Sequence, residues 1–253
     1  MFQKKISKKL SFYQFPSRVF IKDEKEYFSV KTYLNIQKEN GTCEIQINHA
    51  NNIYQGKDIL KTYYPVENFV IDINGDLVYS TNKNIIRKKS RNIEATFFED
   101  EFKNILDIKI DKSGNIYLLD DKKLKKITLE GHISVIANFH ESLNTFVITE
   151  EGYIVGSSLY IWFIGLDGNK TQIMDVMCDN SLGFFNFCIH NEKIYFTEED
   201  ELYDTDCIYE YDPKKKILTD VIKYEDIMKF VGFLEGFFFR ENLILWNYTN
   251  FSE

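Results

Sequence analysis

The chain is short of the residues that carry most recognisable chemistry. Of its 253 residues only 3 are proline, 4 cysteine, 4 histidine and 2 tryptophan. Cys43, Cys178, Cys188 and Cys207 are widely spaced and form no C-x-x-C pair. That spacing gives no support to a structural zinc site or a thioredoxin-type centre. Buried free thiols are the expectation. His49, His132, His140 and His190 make no H-x-x-x-H, and neither G-x-S-x-G nor a phosphate loop occurs. No apolar run approaches the about 20 residues that span a bilayer. The longest, YIVGSSLYIWFIGL at 153–166, is broken by Gly156, Ser157 and Ser158. Lys4, Lys5, Lys8 and Lys9 give the N-terminus the charge of a signal peptide, with no apolar stretch behind it. The expectation is a soluble, cytoplasmic, monomeric protein with no membrane partner, whose residues 1–10 are a flexible basic N-terminus.

What the chain does have is aromatic residues, 22 Phe and 16 Tyr, which favour half-buried pleated surfaces. The stretch DKSGNIYLLDD, 111–121, shows how they are used. A polar turn ending in Gly114 separates two apolar alternations, the signature of a β-hairpin. The pattern recurs at Gly41, Gly75, Gly152, Glu192 (where glycine is expected) and Gly236. The interval is roughly 40 residues, the period of propeller blades with four strands each. Third and fourth strands follow at NIIRKKS and IEATFF, KLKKITL and HISVIANF, LYIWFIGL and TQIMDVM, CIYEYDP and ILTDVIKY. In the first repeat the weaker pair is NNIYQGK and ILKTYYPV.

The last repeat runs out of chain after VGFLEGFFFRENLILWNY. Segment 11–21, SFYQFPSRVFI, has no repeat of its own, and an open sheet edge invites aggregation. The expectation is one all-β domain over 1–253, a six-bladed β-propeller of four-stranded antiparallel blades. Segment 11–21 pairs with the last blade and closes the ring. Five blades with an N-terminal cap is the alternative.

Residues 105–137, ILDIKIDKSGNIYLLDDKKLKKITLEGHISVIA, resemble a repeat of the NHL and SMP-30/gluconolactonase type of six-bladed propeller. The likeness rests on Asp111 before the turn, the Gly114–Tyr117 strand start, Asp120 after it and the Leu124-x-x-Ile127 strand. Residues 68–88 match almost as well through Asp72, Gly75 and Tyr79. The resemblance implies a fold and no particular activity, because this fold hosts lactonases, lyases, RNA binders and protein-binding scaffolds. The Glu-Gly-Pro segment that supplies a metal ligand in lactonases is missing, as are the Trp-Asp and Gly-His signatures of WD40 blades.

Three features bear on function. The stretch EEDELYDTD places Glu198, Glu199, Asp200, Glu201, Asp204 and Asp206 together. Clustered oxygens suit Ca²⁺, yet the spacing fits no EF-hand and the run has no internal glycine. A solvated inter-strand loop able to contact a basic partner is the expectation. The turns DINGD, DKSGN and LDGNK use the residues that hairpins require, so no cofactor is expected and Ca²⁺ stands well behind. The basic runs RKKSR (87–91) and KKLKK (122–126) fall at equivalent places and would form a positive stripe if joined. A net charge of −8 ranks nucleic acid below protein as the partner. The phenylalanine pairs at 97–98 and 184–185 and the triplet at 237–239 read as packing between blades.

The reading these features support is a non-catalytic protein-binding scaffold, with the acidic stretch as one contact. A metal-dependent hydrolase or lactonase with its site in the central channel is the second reading. An accessory or immunity-type inhibitor of another protein is the third.

Overall fold

Turn residues punctuate the sequence so often that every element among the described residues is a β-strand. The structure, a computed structural model, describes residues 12–22, 25–37, 43–55, 58–81, 84–90, 93–98, 102–176, 181–200, 207–215, 217–222, 233–240 and 243–249. These make five four-stranded antiparallel sheets and one of two strands. The first sheet is β1 (Phe12–Lys22), β2 (Lys25–Gln37), β3 (Cys43–Gln55) and β4 (Asp58–Lys61). The second is β5 (Asn68–Ile71), β6 (Leu77–Ser80), β7 (Ile86–Ser90) and β8 (Ile93–Phe98). The third is β9 (Ile105–Ile110), β10 (Ile116–Asp120), β11 (Lys123–Ile127) and β12 (Ile133–Asn138). The fourth is β13 (Leu143–Ile148), β14 (Gly152–Ser157), β15 (Tyr160–Gly165) and β16 (Lys170–Asp175). The fifth is β17 (Ser181–His190), β18 (Lys193–Asp200), β19 (Cys207–Asp212) and β20 (Ile217–Ile222). The sixth pairs β21 (Phe233–Arg240) with β22 (Leu243–Thr249). In every sheet the strands lie side by side in chain order, so each connection within a sheet is a hairpin. Among the described residues no helix is long and apolar enough to cross a membrane.

The turn chemistry explains the hairpins. Gly75 and Gly114 take φ of 82° and 84°, which other residues adopt only at a cost, and their amides bond Asp72 and Asp111 carbonyls at 3.0 and 3.1 Å. The fifth sheet turns more tightly. His190 pairs with Lys193 across Asn191 and Glu192, whose φ values are 48° and 64°. That is the two-residue turn in which Asn-Gly is strongly favoured. A glutamate there meets the steric cost of left-handed backbone. Its ion pair with Lys214 at 2.5 Å is largely exposed and stabilises little in water. Glu192→Gly should therefore stabilise the protein by roughly 0.5–1 kcal/mol, read as a higher urea midpoint with unchanged slope. A lower midpoint would mean that the Lys214 contact outweighs the backbone term.

The chain divides into two compact units, Met1–Asp100 and Glu101–Glu253. In the first, Val66, Phe69, Ile71, Leu77 and Tyr79 form a core cluster. In the second, the fourth sheet shows the packing rule most clearly. Phe146, Tyr153 and Val155 pack with Tyr117, Leu119 and Leu124 of the third sheet. Their sequence neighbours Val147 and Ile154 pack with Phe184, Phe187, Ile194 and Phe196 of the fifth. Period-2 alternation sends successive side chains to opposite faces, and here each face meets another sheet. The first strands of successive sheets pack on each other, β9 on β13, β13 on β17 and β17 on β21, and in the other unit β1 on β5. Phe184 meets Phe196 edge-on at 5.5 Å, as expected for aromatic packing.

Three expectations are corrected. Segment 12–22 pairs with β2 along its length and opens its own four-stranded sheet, and among the described residues no strand of the last blade pairs with it. A local hairpin closes a loop of a few residues, whereas the distant partner would require ordering nearly the whole chain first. As a consequence the turn containing Gly41, which lies outside the described residues, joins second and third strands, and EIQI and NNIYQ fuse into the single strand β3. Gly236 is no turn residue. It lies inside β21 opposite Asn247, beside a register shift. Glycine in a strand marks a bulge as readily as a turn.

Candidate functional site

The acidic turns are the simplest to resolve. Asp72 Oδ1 accepts the amides of Asn74 and Asp76 at 2.8 and 2.9 Å, and Oδ2 accepts Lys88 Nζ at 2.7 Å. Burial alone would raise the Asp72 pKa. The Lys88 and amide hydrogen bonds outweigh it and hold the carboxyl below its ordinary value. Asp111 repeats the arrangement with the amides of Ser113 and Asn115 at 2.8 and 2.9 Å and Tyr117 Oη at 3.0 Å. Asp167 accepts Asn169 N at 3.0 Å. The oxygens that suggested calcium serve as turn acceptors. Among the described residues no three His, Cys, Asp or Glu side chains gather where they would hold a metal ion.

The deeper polar groups sit at a repeated register position. In the first strands Asn68 opposes Ser80, Asp107 opposes Leu119 and Thr145 opposes Gly156. All three of these first-strand residues are buried. Asp107 ties its sheet to the next, since Oδ2 accepts Thr145 Oγ1 at 3.0 Å and lies 3.2 Å from Lys109 Nζ. At the ends of the second strands Thr81, Asp120, Ser157 and Glu198 are buried as well. Asp120 accepts the amides of Lys103 and Asn104 at 2.6 and 2.9 Å and Lys125 Nζ at 2.6 Å.

Glu198 corrects the reading of the acidic stretch. It is fully buried near the end of β18, paired with Phe184 and Cys207, so it belongs to no solvated loop. The apolar run KIYFT keeps pairing on both sides and carries the strand through Glu198 and on to Asp200. Glu199 and Asp200 pair with Gly183 and Ser181 in the same strand. Glu201, Asp204 and Asp206 lie outside the described residues. His190 closes the fifth hairpin beside Tyr195, with ring centroids 6.5 Å apart. Cys188 is half-buried in β17.

The basic runs are engaged locally. In KKLKK, Lys125 pairs with Asp120, Lys126 lies 5.6 Å from the Tyr117 ring centre, and Lys122 donates to the His140 carbonyl. In RKKSR, Lys88 points to Asp72 and Asp76, while its neighbours on the opposite face converge on Glu94. Arg91 lies outside the described residues.

Glu94 organises a site that sequence reasoning missed. Its side chain is fully buried in β8. It accepts Tyr63 N with both oxygens at 3.1 and 3.3 Å, Arg87 Nε at 3.3 Å and the Tyr79 hydroxyl, and Lys89 Nζ lies 3.8 Å away. Burial, and then Glu94, push the Tyr79 phenol far above its ordinary pKa, so it stays a donor. The Arg87 guanidinium lies 4.4 Å from the Tyr64 ring centre and Lys89 Nζ 5.8 Å from that of Tyr63. Tyr63 and Tyr64 are 71% and 44% exposed, which singles them out because the Glu94 clamp beneath them is buried. ILKTYYPV reads as a fourth strand, but β4 stops at Lys61. Pro65 is the available signal, since proline removes a ladder donor and restricts the residue before it.

No protein-family model and no curated protein matches the sequence. Solved structures match in fold. The extracellular domain of a hybrid two-component system from B. thetaiotaomicron aligns with a TM-score of 0.64 at 12% identity, over 93% of this chain and 37% of that one. A gluconolactonase from Xanthomonas campestris aligns with a TM-score of 0.56 at 9% identity, over 94% of this chain and 97% of its own. YCF48 bound to D1 peptide aligns with a TM-score of 0.61 at 9% identity, over 97% and 96%. The chain therefore resembles gluconolactonase/SMP-30-like propellers and other β-propellers at the level of fold. Against the two-component domain it spans little more than a third of the length.

Proposed function

We propose that the chain is a six-bladed, non-catalytic propeller scaffold that binds a protein partner. One observation carries the reading. The buried carboxylates whose partners are placed, Asp72, Asp107, Asp120 and Glu94, are committed to backbone amides, hydroxyls and cations of their own sheets or of the next one. An acid–base catalyst needs a carboxylate whose proton can move, and a metal ligand needs an uncommitted lone pair. These groups act as fasteners. The likeness to YCF48, a propeller whose structure holds a peptide, supports the same reading.

Within it, Glu199, Asp200, Glu201, Asp204 and Asp206 form one contact for a basic region of the partner, and Glu198 is withdrawn from the set. The test is affinity capture with the whole chain against a variant carrying lysine at those five positions. Capture of a specific protein should weaken at least severalfold in the variant. Equal capture would remove this stretch from the function. The lactonase reading is favoured by the end-to-end likeness to the Xanthomonas enzyme. Elemental analysis of the purified chain separates the two, because stoichiometric metal whose removal lowers the melting temperature would replace the scaffold reading with the enzyme.

A further inference from the structure

The cluster around Glu94 has the build of an interface mounted on a buried clamp. Single exposed apolar residues are ordinary on any protein. Two adjacent tyrosines held from below are a different matter. Thr62 is buried and donates its hydroxyl to the Tyr64 carbonyl at 2.8 Å, and Val66 is fully buried. Together with the Glu94 clamp on Tyr63 N, these contacts fix the backbone on either side of the rings. The rings are thus anchored by their main chain while most of the Tyr63 side chain and much of Tyr64 stay in water. Fixing a side chain in advance removes part of the entropy cost of binding. Tyrosine and arginine are also the residue types that dominate interface hot spots.

The charge at this place identifies the occupant. Arg87 and Lys89 flank the rings and share the Glu94 carboxylate, and Lys61 is exposed two residues upstream. Lys88 does not contribute, since it faces Asp72 and Asp76. An island of positive charge therefore surrounds two aromatic faces on a chain whose net charge is −8. At physiological salt the Debye length is about 8 Å, so an approaching segment senses the island more than the rest of the molecule. The side chains of Arg87 and Lys89 are only 13% and 17% exposed. They present a field over the rings rather than free forks for phosphates. That favours a flexible segment with a few carboxylates over a nucleic acid, whose densely charged backbone calls for several free Lys and Arg contacts.

We infer that Tyr63, Tyr64, Arg87 and Lys89 form a preformed docking surface for an acidic segment of a protein partner. This rests on the scaffold reading and names a second contact within it, of opposite charge preference to 199–206. The test is selection of a random 12-residue peptide display library on the whole chain, with depletion against the Tyr63→Ala/Tyr64→Ala variant. Both tyrosines are exposed, and an unchanged melting temperature checks that the variant folds. The surviving peptides should carry a net negative charge. A synthetic copy of the best one should bind the intact chain by fluorescence anisotropy and bind the variant at least about tenfold more weakly, the size of loss a hot-spot truncation gives. Its affinity should also fall as salt rises. Survivors that are neutral or basic, no survivors, equal binding to the variant, or stronger binding of a 12-nucleotide single-stranded RNA that Y63A/Y64A abolishes would each overturn the inference. Those failures leave the scaffold reading intact if capture through 199–206 succeeds, so the two can fail separately.

Discussion

Gly183→Ala should be among the most damaging single substitutions in the chain, costing roughly 3–5 kcal/mol. Gly183 lies near the start of β17, the first strand of the fifth sheet, beside a register shift, and its backbone takes φ of 110°. Alanine there meets the strain that left-handed backbone imposes on any residue with a Cβ. The space is also taken, because that Cβ would overlap the Ser157 carbonyl oxygen and crowd the Asn144 side chain. Ser157 and Asn144 belong to the fourth sheet, so the methyl group would push two sheets apart along their shared face. Backbone cannot swing aside as a lysine tip can. For a domain of this size each kcal/mol lowers the melting temperature by about 2–4 °C, so a drop of roughly 10 °C is expected in a calorimetric scan. Gly75→Ala is the control, since a Cβ there meets nothing within 4 Å although φ is 82°. It should cost only the backbone term, about 1–2 kcal/mol. Equal losses from the two would show that sheet contact contributes nothing at Gly183.

Asp120→Ala should cost about 3–5 kcal/mol, because it removes the carboxylate from a buried ion pair and leaves its cation in place. The side chains of Asp120 and Lys125 are 3% and 10% exposed, and the pair closes at 2.6 Å. The same carboxylate holds the amides of Lys103 and Asn104, which fix the approach to β9. Lys125→Met should cost less, at most about 3 kcal/mol, because Asp120 keeps two amide donors while the methionine fills the channel left by the lysine stem. The order of the two losses, read from urea midpoints, is the test. If Lys125→Met proves the more damaging, the ion pair rather than the amide clamp holds this corner.

Gly183 looks unremarkable in sequence and Asp120 shows there only as part of a repeat likeness, and the reason is physical. Turn chemistry is local. Asp72, Gly75, Asp111 and Gly114 announce their hairpins because the side chain and the backbone conformation act within five residues. Even the odd Glu192 is legible, as an exception to a turn that wants glycine. Gly183 and Gly236 carry no local signal of this kind. A glycine inside an apolar run reads alike whether it makes a turn, a bulge or a close approach, and only the neighbouring strand decides. Segment 12–22 looked like an orphan because its partner β2 is also the first half of the next visible hairpin.

The candidate contacts divide in the same way. Glu198 lies in a run of acids, and charge in sequence suggests solvent, yet Phe184 and Cys207 flank it in the sheet. Tyr63 and Tyr64 lie in an apolar-looking run, and aromaticity suggests a core, yet they face water. In both cases residue type suggests one environment and the neighbouring strands supply the other.

By itself the sequence determined the alternation of strand and turn, the interval of about forty residues and the antiparallel hairpins, because pleat and φ depend on near neighbours in the chain. Only the tertiary structure decided which faces are covered. β14 is buried at every position, a condition that the third and fifth sheets on its two sides impose and that no single strand encodes. The same packing makes fasteners of Asp107, Asp120 and Glu94, since a carboxylate removed from water persists only where amides, hydroxyls and cations replace the water it lost.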